Sequence, residues 1–411
     1  MHKKVSQICF VLTLIRGLVS AEQTEWPSFR GPGRDNISAE EGLLKKWPKE
    51  GPKLLWKSKE CLNGNSSVVI AGGRIFTAGE DKKNTRVIAL DLYGKLLWSS
   101  PNGLPWNGSI PGTRATPTYS EGIVYHLSAL GRLAAFDAVS GKELWHNDLI
   151  KSFGRGSGQF GYCESLVVEG DSLFCLPGGE KGSLVAFYKQ TGKIKWINTG
   201  LKEQAACCSP VLAIIGGKKQ LVSMSAKSVF GADTETGEVL WKFPQSTFQD
   251  VNVASPAVFE DKVYISSGYG AGGSLLGIER EKDVFTVKKI WSSKRPDNHH
   301  GGIILVDGLL YGTGDRNPGF YCVDFLTGEE KYCAKDSGKG TLTVAGGMIY
   351  FMNQYGFMSL IEKDPSAFRQ VNRFKLPKES SEPYWAYPVI CGGKLYIRHA
   401  SNLYAYDIRA K

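Results

Sequence analysis

One hairpin pattern recurs seven times in this chain, and its spacing constrains the fold more than any single residue does. Its clearest copy runs Ala135-Phe136-Asp137-Ala138-Val139-Ser140-Gly141-Lys142-Glu143-Leu144-Trp145. The same steps of six and then four residues join Ala186, Gly192 and Trp196; Gly231, Gly237 and Trp241; and Cys322, Gly328 and Tyr332. A copy one residue shorter joins Ala89, Gly94 and Trp98, and degenerate copies end at Trp291 and Phe374. Successive aromatic ends lie 41 to 51 residues apart, the period of a four-stranded propeller blade rather than of a helical or leucine-rich repeat.

Each slot of the pattern has a physical role in a hairpin. The small first residue is expected to end one strand where a neighbouring blade packs closely. Asp opens the turn, where its carboxylate accepts local N–H groups, and Gly takes the positive φ that other residues disfavour. The aromatic then offers a broad face for packing between blades. A second hairpin precedes each copy, as in 116–125 and 255–264, with β-branched and aromatic alternation around a turn.

Two hairpins make a blade, and full units fall at about 64–100, 114–148, 161–199, 207–244, 253–293, 299–336 and 340–377. The C-terminal remainder, 387–407, supplies three more strands. The strand missing there stands at the other end of the chain, as Lys53-Leu54-Leu55-Trp56-Lys57-Ser58, whose Trp56 matches the outer-strand position. The expected fold is therefore all-β: an eight-bladed β-propeller of four-stranded antiparallel blades over 53–411, closed by N- and C-terminal strands in one blade so that the ring has no open edge. Residues 22–52 are expected to pack on it as an N-terminal extension. The six tryptophans of the repeat are Trp56, Trp98, Trp145, Trp196, Trp241 and Trp291.

Residues 1–21 read as an export signal: Lys3-Lys4, an apolar run from Val5 to Ile15, and Val19-Ser20-Ala21 as the cleavage site. The alternative is an uncleaved anchor, for which the apolar run is short. The expected location is periplasmic or secreted. Loss of Lys3, Lys4 and Arg16 with the leader takes the formal charge from +10 to +7. The basic residues are dispersed over many turns, which disfavours nucleic acid as a partner. Cys61, Cys163, Cys175, Cys207, Cys208, Cys322, Cys333 and Cys391 remain, and an oxidising compartment permits disulfides among them. Cys322 and Cys333, on two arms of one hairpin, are the expected cross-strand pair. CxxC, CxxCH and HExxH are absent, which disfavours zinc ribbons, attached haem and zincin chemistry. Matches to GxGxxG at 156–161 and 268–273 do not lead from a strand into a helix and read as loops.

Residues just before each inner strand converge on one mouth of a propeller channel. Those positions suggest a ligand site built from Arg114, Glu164, Cys207, Cys208, Asn252, His300 and Trp385. Of the pair His299-His300, strand geometry would send at most one side chain into the channel.

The frame at 135–145, 186–196 and 231–241 resembles the tryptophan-docking repeat of the pyrroloquinoline quinone (PQQ) propeller superfamily, over nearly the whole chain after the leader. That superfamily includes quinoprotein alcohol dehydrogenases and cofactor-free relatives that assist outer-membrane protein assembly. The resemblance implies, for the enzymes, a quinone held between a Trp and a vicinal disulfide, with Ca²⁺ on a Glu and an Asn and an Asp as base. Cys207-Cys208, Glu164, Asn252 and Trp385 supply those residue types, and Asp250 is the nearest candidate base. In the enzymes, however, the vicinal cysteines precede the calcium Glu, and here Glu164 comes first. The function expected is a monomeric binding or scaffold propeller of the cell envelope, without catalysis or cofactor and with a protein or glycan partner. The alternative is a PQQ- and Ca²⁺-dependent alcohol dehydrogenase.

Overall fold

The computed structural model describes residues 25–410, so the leader expected at 1–21 lies outside the described residues. Eight four-stranded antiparallel sheets form the ring. In blade one, strands Val69–Ala71, Arg74–Glu80, Thr85–Leu90 and Leu96–Pro101 follow one another outward. Blades two to seven repeat this order over 118–148, 167–198, 211–244, 257–293, 303–334 and 340–375. Blade eight combines Val389–Cys391, Lys394–His399 and Asn402–Asp407 with Lys53–Ser58 as its outer strand. Register there runs from Lys53 opposite Asp407 to Ser58 opposite Leu403. Buried side chains of blades eight and one, among them Val389, Tyr396, Ile70 and Ile75, pack into one cluster and close the ring. No helix among the described residues is long and apolar enough to cross a membrane.

The repeat aromatics hold neighbouring blades together in one recurring geometry. The indole of Trp98 covers Gly141 of the next blade and donates to Ala138 O at 3.1 Å. Trp145 lies over Gly192 and donates to Lys189 O, Trp196 lies over Gly237 and donates to Thr234 O, and Trp291 lies over Gly328 and donates to Phe325 O. Trp56 does the same across the closing blade, over Gly94 and to Leu92 O. Asp137 opens its turn by accepting the N–H groups of Val139 and Ser140.

Four details differ from the sequence reading. The small first residue does not end its strand. It stands inside it, opposite the aromatic, as Ala135 pairs with Trp145 and Gly231 with Trp241, and a register shift follows it. A Cβ on Gly231 would fall 2.3 Å from Trp241 Nε1, so the slot is small to make room for the indole of its own blade. Trp241 is the exception to docking: its Nε1 donates to Gln220 Oε1 within blade four. Blade five presents a longer hairpin, Gly272–Glu281 with Val284–Ser293, which lacks the repeat glycine. Finally, Cys322 and Cys333 are not a pair. Cys322 faces Tyr332 and Cys333 faces Tyr321, and adjacent residues of a strand point to opposite faces.

The segment 25–52 closes one end of the channel. Trp26 bridges Ile70 of blade one, and Pro27 O accepts from Tyr119 N of blade two. Arg34 donates to Ser165 O and Leu166 O of blade three and to Pro210 O of blade four. Arg30 reaches Ile303 O in blade six, Asn36 reaches Leu342 O in blade seven, and Glu40 accepts from Gly392 and Gly393 N in blade eight. One short segment thus caps the ends of inner strands around the ring, satisfying carbonyls that would otherwise be buried without donors. Burial lowers the Arg34 pKa to about 10, with Arg30 beside it acting in the same direction.

Three outcomes follow. Gly141 has φ +71°, and an added Cβ would meet Trp98 Cδ2 at 2.5 Å, so Gly141→Ala should destabilise by about 1–2 kcal/mol. The contact predicts that part of this cost disappears in a Trp98→Ala background, measured as a coupling in a urea-unfolding double-mutant cycle. Additive effects would mean that the indole and the turn do not touch. Trp145 and Trp196 are half-buried rather than sealed, so their truncation should cost about 2–3 kcal/mol, below the range for a fully buried Trp. Arg34→Met would leave the buried carbonyls of Ser165 and Pro210 without this donor, while Leu166 O keeps the Thr118 hydroxyl, a loss on the order of 2–4 kcal/mol in the same assay.

Candidate functional site

A ring of hydroxyl groups fixes how the inner strands begin. Tyr387 N of blade eight donates to Ser67 Oγ of blade one at 2.8 Å. Ser67 N donates to Thr116 Oγ1, Thr116 N to Ser165 Oγ and Ser165 N to Ser209 Oγ, each at 2.9 Å. Ser255 Oγ of blade five then donates to Ser209 O. In an extended chain the residue two positions earlier shares the same side. Counting back two from these tether residues gives Trp385, Asn65, Arg114, Cys163, Cys207 and Val253, and all line one cavity of about 140 Å³ at the channel mouth. His299 and His300 of blade six, Tyr269, Phe160 and Tyr387 complete its wall. Phe29 reaches the same cavity from the N-terminal segment and meets Tyr387 edge-on at 5.0 Å.

One side of the cavity is a train of rings. Tyr269 and His299 lie 4.8 Å apart, His299 and His300 5.5 Å, and His300 and Trp385 4.7 Å between centroids. Burial holds both imidazoles below their ordinary pKa, His300 well below, so at neutral pH each is uncharged. Nδ1 of His299, both nitrogens of His300 and Nε1 of Trp385 are buried without a hydrogen-bond partner. Arg114 supplies the positive charge, its guanidinium anchored on Ser109 O, Ile110 O and Phe160 O. Lys339, in contrast, is neutralised by Asp315 at 2.7 Å.

Of the residues singled out from sequence, Arg114, Cys207, His300 and Trp385 line the cavity, while Glu164, Cys208 and Asn252 face into the blade walls. Each of the three stands one position from a lining residue, and a one-residue offset turns a side chain to the opposite face. Glu164 Oε1 accepts from Leu176 N, and its carboxylate also meets the Cys175 thiol. Asn252 donates to Ser225 O and Gln245 O and accepts from Ser267 Oγ. The Cys208 thiol lies 3.5 Å from Ala254 O and burial pushes its pKa up to about 11. Cys207 and Cys208 are separate thiols with diverging side chains. Both histidines of the 299–300 pair line the cavity, because they sit in an irregular segment before strand Ile303–Val306 rather than inside a strand. Among the described residues, no group of three or more His, Cys, Asp or Glu side chains is placed to hold a metal ion. Cys163 and Val253 were missed. For Val253 a signal existed: Ser255, like Thr116, Ser209 and Tyr387, precedes a proline, and counting back two from that residue finds the lining position, whereas Ser165 precedes Leu166 and leaves Cys163 unmarked.

Residues 83–333 match the family described as outer membrane protein assembly factor BamB. The chain belongs to the PQQ-like β-propeller superfamily. Among solved structures, this PQQ-like propeller is similar to BamB from Moraxella catarrhalis, with a TM-score of 0.60 and 12% identity over 87% of this chain and 98% of that one. It is also similar to quinohemoprotein alcohol dehydrogenase from Comamonas testosteroni, with a TM-score of 0.66 and 12% identity over 95% and 82% of the two chains. At such identity the likeness is one of fold. Quinohemoprotein alcohol dehydrogenase ADH IIB of Pseudomonas putida is 28% identical over 157 residues, covering 34% of this chain and 22% of that enzyme. The chain spans about a quarter of the length of the curated dehydrogenases that it matches.

Glu164 yields a pH prediction. Burial raises its pKa from 4.5 to about 7, against the lowering influence of Leu176 N, Cys175 and Arg34. Folding therefore favours the protonated carboxyl. That stabilisation is complete below the ordinary pKa and is lost as pH rises through 7. Glu164→Gln lacks it at every pH, so the variant should gain about 3 kcal/mol on the wild type between about pH 4 and about pH 8. The opposing titration of buried His126, its pKa lowered to about 4 by burial, is common to both proteins and cancels. A stability difference that does not change with pH would remove Glu164 as a buried titrating group.

Proposed function

We propose that this propeller is a binding module of the cell envelope, without catalysis, that takes a planar or ring-shaped group of a partner protein or glycan at its channel mouth. The observation that carries this reading is the concentration of unpartnered buried nitrogens on His299, His300 and Trp385 in one aromatic-walled cavity. Leaving such groups unpaired costs about 1–3 kcal/mol each. A ligand that donates and accepts hydrogen bonds between the rings would recover that cost. Flat aromatic faces beside neutral imidazoles and a single guanidinium suit a sugar ring or an aromatic side chain with a polar edge.

The dehydrogenase activity named for several relatives is supported less well. Calcium takes six to eight oxygen ligands, and the carboxylate of Glu164 and the amide of Asn252 are already spent within the walls of separate blades. The divergent thiols of Cys207 and Cys208 do not offer the vicinal disulfide against which a quinone would stack. The residues at the mouth thus fit a quinone and calcium poorly. Localisation in the envelope rests on the leader-like sequence at 1–21 and on the family description.

The test uses two titrations of the full chain. Short N-acetylglucosamine oligomers and tryptophan-containing tripeptides, followed by calorimetry, should give saturable binding with at least one probe, weakened at least tenfold by Trp385→Ala or His300→Ala. Incubation with PQQ and Ca²⁺ should leave no stoichiometric quinone absorbance and no alcohol-dependent dye reduction. Retained quinone with dye reduction would establish the dehydrogenase instead, and failure of every probe to bind the wild type would remove the mouth as a binding site.

A further inference from the structure

The repeat places the same position of blades three and four side by side at the mouth, and both positions hold cysteine. Cys163 and Cys207 each stand two residues before the serine that ties their blades, and that tie is direct, Ser165 N to Ser209 Oγ at 2.9 Å. Their side chains line one cavity, and each acts on the ionisation of the other. Cys163 Sγ otherwise sees only the carbonyls of Gly161 and Phe160, at 3.6 and 3.8 Å. Arg114 comes from the equivalent position of blade two, and its positive charge acts on both sulfurs. The pair is asymmetric: Cys207, helped by Arg114, holds the Cys163 thiol below its ordinary pKa, while Cys163 and burial push Cys207 well above against the pull of Arg114. Burial instead drives Cys61, Cys175 and Cys208 upward. Thiolates react and thiols do not, so these buried sites are inert by comparison.

The geometry points to Cys163 and Cys207 as a peroxide-reactive dithiol that closes into a reversible disulfide between blades three and four, with Cys163 as the attacking and Cys207 as the resolving sulfur. Hydrogen peroxide is small enough to enter the cavity. The Cys163 thiolate attacks one peroxide oxygen, the O–O bond breaks, and hydroxide leaves and takes a proton to become water. The resulting sulfenic acid condenses with the Cys207 thiol, the S–O bond breaks as the S–S bond forms, and a second water departs with the thiol proton. Two electrons pass from the dithiol to peroxide, and an external dithiol reverses the change. Both sulfurs open into the same cavity, and the tie between Ser165 and Ser209 already holds the two strand starts together, so closing the bond of about 2.05 Å calls for side-chain rotation rather than movement of a blade. This chemistry does not depend on what the mouth binds.

The experiment is a peptide map of the full chain after treatment with hydrogen peroxide and alkylation. The wild type should yield a Cys163–Cys207 cross-linked peptide that dithiothreitol abolishes, with these two thiols lost at least tenfold faster than Cys61, Cys175 and Cys208. Cys207→Ser should accumulate sulfenic acid at Cys163, trapped by dimedone, and Cys163→Ser should leave Cys207 unlabelled. A Cys207–Cys208 cross-link, dimedone on Cys207 in place of Cys163, or loss of Cys163 and Cys207 no faster than of the buried thiols would overturn the assignment. The wild-type map decides the matter even if either variant folds poorly.

Discussion

The contact between a tryptophan of one blade and a turn glycine of the next is the interaction on which this ring depends. A blade is a sheet with two apolar faces and cannot bury either alone, so stability comes from stacking neighbours. The indole performs two tasks at once. Its face covers a glycine whose missing side chain leaves the space, and its N–H satisfies a turn carbonyl, as with Trp145 over Gly192 and on Lys189 O. Where the glycine is missing, in the hairpin of blade five, Trp241 bonds Gln220 of its own blade instead. The junction of blades four and five, and the two that carry Tyr332 and Phe374 in place of tryptophan, are therefore built differently from the five tryptophan-docked ones.

At the centre a second set of contacts takes over. Hydroxyls at the start of the inner strands pass a hydrogen bond from blade to blade, and the side chains two residues earlier are thereby aimed into the mouth. Because blades eight, one, two, three and four share this tie and blade five joins it through Ser255, much of the cavity is assembled from one repeat position sampled around the circle, as Trp385, Asn65, Arg114, Cys163, Cys207 and Val253, with His299 and His300 added by blade six. The scaffold needs the hydroxyl and leaves the lining position free to vary. Amide, guanidinium, thiol, imidazole and indole groups can then meet in a space that Phe29 of the N-terminal segment enters.

How much of this was legible follows from the range of each signal. Ala135 to Trp145 is one hairpin, and its turn chemistry, glycine conformation and aromatic end are local, so eleven residues suffice to recognise it. Closure by Lys53–Ser58 could be read because a three-strand remainder lacks a partner. The site was legible only in part, since a strand start that is misjudged by one residue exchanges wall for channel. That is why Glu164 and Asn252 were placed at the mouth and Cys163 and Val253 were not. Cys322 and Cys333 failed for the same reason, as a bulge after Cys322 and strict alternation set them on opposite faces.

By itself the sequence determined the repeat, the number of blades and the way the ring closes, because these rest on local propensity and on a count. Tertiary structure alone decided that residues 25–52 cap the channel, which thiols share the mouth and which polar groups are left unpartnered there. Those outcomes depend on contacts between positions separated by one to seven blades, such as Arg34 with Pro210 or Phe29 with Tyr387. Such contacts exist only once the ring has closed and the inner strands have taken their register.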